Sequence, residues 1–465
     1  MNTSPFSRRE MLKQTACGFG LLALADLCAK QSAAATAGSS LSPLAPKAPL
    51  FAPKAKRVIF MFHQGGPSHV DTFDYKPRLA IDDGKSPVET GFYKGGNRKL
   101  LKSPFEFSQH GKSGLPISSL FPNVAKHADK LCLLNGMHTD LPNHPQASVQ
   151  LHTGSFQFVR PSMGAWVLYG LGTENDELPG FITINPSGRV GGAQNYGSAF
   201  LPAPFQGTPI GAEGKAVGQG AIPNIQARAP AGLQRKQLDY LQSLNRDRLA
   251  ADGVNTELEG LIESYELAFR MQGAVPKVLD LKDESQATLD AYGVGDKATD
   301  NFARQCLLAR RFAEAGVRFI EIATGGWDQH QNLRSALTKN CEGIDRPTAA
   351  LLQDLEQRGL LEDTLVISGG EFGRTPHASK PDGRDHNATG YSMWLAGGGV
   401  KGGLRYGATD EHGIKAVENA VHVHDLHATI LHLLGLDHTK LTYRYSGRDF
   451  RLTDVHGNVV KDIIA

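Results

Sequence analysis

Short apolar runs, rich in β-branched and aromatic residues, recur along the chain at residues 56–62 (KRVIFMF), 131–134, 181–185, 317–322, 364–368 and 392–396. Runs of this length without strict polar alternation are the pattern of strands covered on both faces. Between them, apolar residues at three-to-four spacing predict helices over 146–152, 234–250, 255–271, 301–315, 348–356 and 421–434. Residues 198–232 are rich in Gly, Pro and Ala and read as a surface excursion. With the two helices after it, this stretch makes an insertion over about 198–275. Strands alternating with helices predict an α/β fold: a mainly parallel central sheet flanked by helices on both faces, with a helical cap.

The first 40 residues are an address rather than structure. Ser7-Arg8-Arg9-Glu10-Met11-Leu12-Lys13 precedes a moderately apolar run at 16–25, and the small residues at 32–37 offer cleavage sites. This looks like a twin-arginine export signal, which implies a mature chain of 41–465 in the periplasm or cell envelope. The run is too short to span a bilayer, so no membrane span is expected. The chain has 465 residues and a formal net charge of +2, which suggests no nucleic-acid partner. Of its 5 cysteines only Cys132, Cys306 and Cys341 follow the signal, without a CxxC spacing. That argues against a disulfide framework and against a cysteine-held zinc.

The candidate chemistry sits where predicted strands end. The run at 317–322 leads to Asp328 and His330, and the run at 364–368 leads to Glu371, Arg374, Asp385 and His386. In open α/β sheets the carboxyl ends of strands converge, so these six are expected to meet. Carboxylates with imidazoles suit a divalent metal, and an arginine suits a tetrahedral oxyanion. The alternative for each is a capping or salt-bridging role. The loop after the first strand carries His63, Ser68, His69, Asp71 and Asp74. Ser68, His69 and Asp71 offer a nucleophile with a base, or Asp71 and Asp74 stand beside a metal. His144 opens the helix at 146–152, placed as nucleophile, base, ligand or simple cap. His424 starts the last helix, where it either reaches the site or packs.

The segments GGPSHVDTFDYKP, GGWDQH, GGEFGRTP, GRDHNATGYSMWLAGGG and HDLHATILHLLGLDH, with others from Lys56 to the C-terminus, resemble the DUF1501 family of exported bacterial proteins. That family is similar to the alkaline phosphatase superfamily, which implies an alkaline phosphatase-like three-layer sandwich. The resemblance also implies a hydrolase of sulfate or phosphate esters with one divalent metal (zinc, manganese or calcium). It places Asp328, His330, Glu371 and His386 on the metal and His144 at the nucleophile position; by its own chemistry Arg374 joins His144 in catalysis, and His63, Asp71, Asp385 and His424 are additional candidates. The substrate class would be an anionic ester or a sulfated glycan. Phe372 stands where a ligand is usual, and His144 where Ser, Thr or Cys is usual. These departures motivate the alternative of a catalytically retired relative that binds an anionic glycan or an envelope partner.

Overall fold

Residues Val58 to Phe62 are at most 1% exposed, as a run without polar alternation requires when both faces of its strand are covered. They belong to β1 (Arg57–His63), near the middle of a 9-stranded sheet in the computed structural model of the protein. The structure describes residues 42–465 except 89–91, 93–96, 216, 218–221, 223–224, 228 and 254. The expected export signal and part of the expected 198–232 excursion therefore lie outside the described residues.

The other strands are β2 (Leu131–His138), β3 (Phe181–Ile184), β4 (Thr208–Ile210), β5 (Phe319–Thr324), β6 (Thr364–Gly369), β7 (Tyr391–Ala396), β8 (Leu404–Tyr406) and β9 (Val421–His422). Their order is β8-β2-β7-β6-β1-β5-β3-β4, with β9 also pairing β2. β1 runs parallel to both β5 and β6, while β7 is antiparallel to both β2 and β6. The sheet is thus mainly parallel, with β7 reversed inside it.

Among the described residues the α-helices of nine residues or more are α1 (His144–Thr153), α2 (Met163–Leu171), α3 (Ala231–Asp252), α4 (Thr256–Leu279), α5 (Asp300–Glu314), α6 (Leu333–Gln357) and α7 (Val423–Leu433). Alternation along β1 separates them into two layers. His152 of α1 packs on Phe60 and Phe62, whereas Thr348 of α6 meets Met61 on the opposite face. Phe302 of α5 faces His63, on the side of Met61. α7 lies beside α1, where His427 Nε2–H donates to the Leu151 carbonyl at 2.7 Å. α3 and α4 form a hairpin outside these layers; α3 buries only Gln242. Among the described residues no helix is long and apolar enough to cross a membrane.

Three elements differ from their sequence patterns for identifiable reasons. α6 begins at Leu333 rather than at 348, because the buried stripe Leu333, Leu337, Cys341 and Ile344 continues upstream of Pro347. β2 runs on past residue 134: the polar Asn135 stays in the strand because its Nδ2 donates to the Phe73 carbonyl and to Ser392 Oγ, both at 3.0 Å. The last helix starts two residues late, since Val421 and His422 pair with β2 and His422 then caps α7 reciprocally with Asp425.

α1 is fixed at both ends. Asn143 is its N-cap in extended conformation, and Gly154 ends it at φ 72°. A Cβ on Gly154 would lie 2.2 Å from the Leu452 carbonyl oxygen, so only glycine closes the helix here.

Candidate metal centre

Four loops at the carboxyl ends of β1, β5, β6 and β2 deliver the site. The loop after β1 passes so close to the loop after β5 that a Cβ on Gly65 would lie 2.8 Å from the Asp328 nitrogen. Gly65 also has φ +116°, which L side chains rarely adopt. Its N–H donates to both oxygens of Glu371, at 3.0 and 3.2 Å. After β6, Gly373–Arg374 pairs antiparallel with His386–Asn387, and this short ladder holds His386 over the crest. The loop after β2 leads into α1, whose first residue is His144.

Asp328 Oδ1 is the hub. It lies 3.3 Å from His144 Nε2, 3.1 Å from His330 Nε2 and 3.1 Å from His386 Nε2. His330 Nε2 and His386 Nε2 are 2.9 Å apart. Each imidazole is anchored through its other nitrogen. His144 Nδ1–H donates to Glu371 at 2.6 Å, His386 Nδ1–H to the Pro142 carbonyl at 2.8 Å, and His330 Nδ1–H to Asp385 at 3.2 Å. Carboxylates and carbonyls only accept, so each Nδ1 must carry the proton. In the neutral imidazole each Nε2 then keeps its lone pair, and the three lone pairs converge beside one carboxylate oxygen.

Such a set repels itself unless a cation or proton sits among its members. The outer partners are those that orient metal-bound histidines in general. His144 Nε2 is also buried, with Asp328 Oδ1 at 3.3 Å but not aligned for a hydrogen bond. The residues present therefore fit a divalent cation. His144, Asp328 and His386 offer ligand atoms all within 4.8 Å of one another. The Asp328 side chain is 47% exposed, so the centre opens to solvent on that side.

The electrostatics agree. Burial works against a charge on His144, but its contacts with Asp328 and Glu371 outweigh it and hold the pKa up at about 9. Burial also works against the Asp328 charge, yet His144, His386 and Arg374 hold its carboxyl well below the usual carboxylate range. For His330, burial and then the Arg374 charge lower the pKa. Positive charge is thus favoured at His144, and as pH falls below about 9 a proton competes there with a cation.

The residues singled out in the sequence divide into several roles. Asp328, His330 and His386 meet, and His144 joins them. Glu371, expected on the metal, is instead fully buried and spent on Gly65 and His144. Arg374, expected to face an anionic ester, is 0% exposed. It donates to the carbonyls of Gly66, Arg384 and Gly65 and to Asp328, and so braces the hub from behind. Asp385 orients His330.

Asp71 forms a two-pronged ion pair with Arg384, the residue before Asp385, and accepts from Ser68 Oγ at 2.6 Å. Neither Ser68 nor His69 is arranged as a nucleophile with a base, because His69 Nε2 pairs with the Gly413 carbonyl. Asp74 is held by Lys76 and Thr409. His63 is buried between Thr324 and Ser368, with its pKa pushed down to about 3 by burial. His424 lines a separate cavity.

Sequence reasoning noted Phe372 as a departure and missed its use. Its ring lies 4.7 Å from that of His144 and 4.8 Å from that of His386, walling the centre between two of its imidazoles. It also missed the Pro142 carbonyl and Arg384, since nothing in a one-dimensional pattern marks a backbone acceptor or the partner of an aspartate far upstream.

Glu371→Gln is expected to weaken metal affinity by roughly 10–100-fold, because the amide is a poorer anchor for His144 Nδ1–H. Titration of metal-stripped protein with Zn²⁺ or Mn²⁺ by calorimetry checks this. Unchanged affinity would remove Glu371 from the centre.

The model of a family described as "Protein of unknown function (DUF1501)" matches residues 55–464. No curated protein matches the sequence. Among solved structures, Ps i-CgsB in complex with k-i-k-neocarrahexaose is 9% identical with TM-score 0.38, covering 82% of this chain and 72% of that one. The PsFucS1 sulfatase from Pseudoalteromonas sp. is 13% identical with TM-score 0.37, covering 82% and 68%. The alkaline phosphatase from the Antarctic bacterium TAB5 is 12% identical with TM-score 0.34, covering 83% and 100%.

Proposed function

The chain belongs to the DUF1501 family, and from that premise and the geometry of the centre we propose that it is an exported, divalent-metal-dependent hydrolase of phosphate or sulfate esters. One observation carries the reading: three imidazole Nε2 atoms, each fixed by an acceptor on its Nδ1, converge on Asp328 Oδ1 at a solvent-facing point. Asp328, His144, His386 and His330 would hold one zinc, manganese or calcium ion. The donor set of imidazoles with one carboxylate favours zinc or manganese over calcium.

A divalent cation supplies Lewis acidity towards an ester oxygen and acidity to water. The chain's own residues do the positioning. Glu371 and Asp385 fix two imidazoles, Arg374 holds Asp328 from beneath, and Phe372 excludes water from one flank. α1 begins with His144 rather than with a hydroxyl or thiol, and with the His144 Nε2 lone pair given to the ion the reading is direct attack by water, without a covalent intermediate. The twin-arginine-like stretch in residues 1–40 supports export, which would put this activity in the periplasm or cell envelope.

A second reading is favoured by the enclosure of Arg374, which leaves that guanidinium turned away from solvent. In it the centre holds a metal and binds an anionic glycan or an envelope partner without turnover. Mature protein loaded with Zn²⁺ or Mn²⁺ is expected to hydrolyse at least one of an aryl sulfate, a phosphomonoester and a phosphodiester. His386→Ala is expected to reduce the rate at least about 100-fold, as loss of a ligand exceeds the cost of losing one of its orienting partners. Stoichiometric metal with no turnover on all three substrates, accompanied by tight glycan binding, would establish the second reading instead.

A further inference from the structure

Beside the metal centre, on the same helix, lies a cavity of about 650 Å³, within the range of small-ligand sites. The loop 139–143 joins the two. Asp140 at one end lines the cavity, while the Pro142 carbonyl at the other accepts from His386 Nδ1. Gln150 of α1 also lines it, and a rise of 1.5 Å per residue puts Gln150 about 9 Å along the axis from His144.

The lining has a consistent chemical character. It includes Asp140, Asp425 and Asp454 and neither Lys nor Arg; Asp454 is paired with Arg448, but Asp140 and Asp425 have no Lys or Arg partner among the described residues, so the cavity disfavours an anion. Its polar atoms are fixed before any ligand arrives. Gln150 Nε2–H and His422 Nε2–H converge on Asp140, and the Asn458 N–H and side-chain amide both donate to Asp425. His424 Nδ1–H donates to the Thr453 carbonyl at 3.2 Å, leaving Nε2 as an acceptor. Burial and the neighbouring histidines push the pKa of His424 down to about 3, so it stays neutral. At the rim Phe156 is half-buried and Phe158 is 60% exposed, with the Arg160 guanidinium 5.2 Å from its ring centre; the exposed ring surface is a cost in water that a flat apolar ligand face would relieve.

We propose that this cavity is a saccharide subsite, which takes uncharged, hydroxyl-rich sugar residues with their C–H faces against Phe156 and Phe158 and their hydroxyls on Asp140, His424 and Asn458. Carboxylates and a neutral imidazole receive hydroxyl protons, and the aromatic rim receives the apolar ring face. A negatively charged group on the same ligand is kept out of the cavity and lies towards the metal centre. That last assignment rests on the hydrolytic reading above; sugar binding itself does not.

The test uses a panel of neutral mono- to tetrasaccharides built from hexoses, deoxyhexoses and N-acetylhexosamines, with spermidine as the rival cationic probe. Binding is read by saturation-transfer NMR and calorimetry on metal-stripped and Zn²⁺-loaded protein. At least one saccharide is expected to bind both forms, and Phe158→Ala and Asp140→Ala are each expected to weaken it at least tenfold, with metal content unchanged. No binding by any saccharide, binding of spermidine alone, or affinity untouched by both substitutions would overturn the proposal. Saccharide binding without ester turnover would instead sink the hydrolytic reading and leave the subsite standing.

Discussion

Asp328→Ala is expected to leave the purified protein without stoichiometric metal. Three imidazoles approach a single oxygen of this carboxylate, and nothing else within the cluster carries a negative charge towards the solvent-facing point. Glu371 is a residue of the right type, but its oxygens are engaged by Gly65 and His144. Alanine would therefore leave up to three neutral nitrogens facing a divalent ion, while the Arg374 guanidinium behind them, no longer neutralised by Asp328, would repel it. The loss should exceed the roughly 10–100-fold that follows removal of an orienting partner. Metal analysis after dialysis against buffer without chelator measures it directly, with far-UV circular dichroism to show that the fold persists. A variant that still carries one equivalent of metal would end the case for this centre.

Asp71→Ala is expected to produce the largest loss of stability among substitutions near the site. Asp71 and Arg384 have side chains with 0% exposure, and they join through both carboxylate oxygens. Removing the acid leaves a guanidinium buried without its counter-charge, a cost of roughly 3–5 kcal/mol. Part of the arginine remains satisfied by the Thr375 and Leu101 carbonyls, so the lower end of that range is expected. Differential scanning calorimetry at fixed metal should show a clear drop in Tm. The double substitution Asp71→Leu with Arg384→Met removes both charges and should recover much of the loss. A double variant as unstable as the single one would show that the deficit comes from packing, not from the stranded charge.

Much of the sheet was legible because its strands are covered on both sides. The run 58–62 has no polar residue, 364–368 has polar residues only at its ends, and 317–322 stays legible although Arg318 and Glu321 interrupt it. The helix boundaries were less legible where tertiary contacts override local cues, as at Pro347 inside α6 and at Val421–His422, drawn into the sheet by β2. The gathering of Asp328, His330 and His386 followed from strand ends alone. The roles did not, because sequence gives residue type and approximate depth but not direction. Glu371 and Arg374 were placed at the crest by the strand that precedes them, and only coordinates show both side chains turned inward.

Phe372 sets a condition on turnover. Its ring closes the flank between His144 and His386, so in the proposed hydrolase reactant and product would use the open side where Asp328 and His330 are exposed. On that reading free phosphate or sulfate would compete with the ester for the same open side.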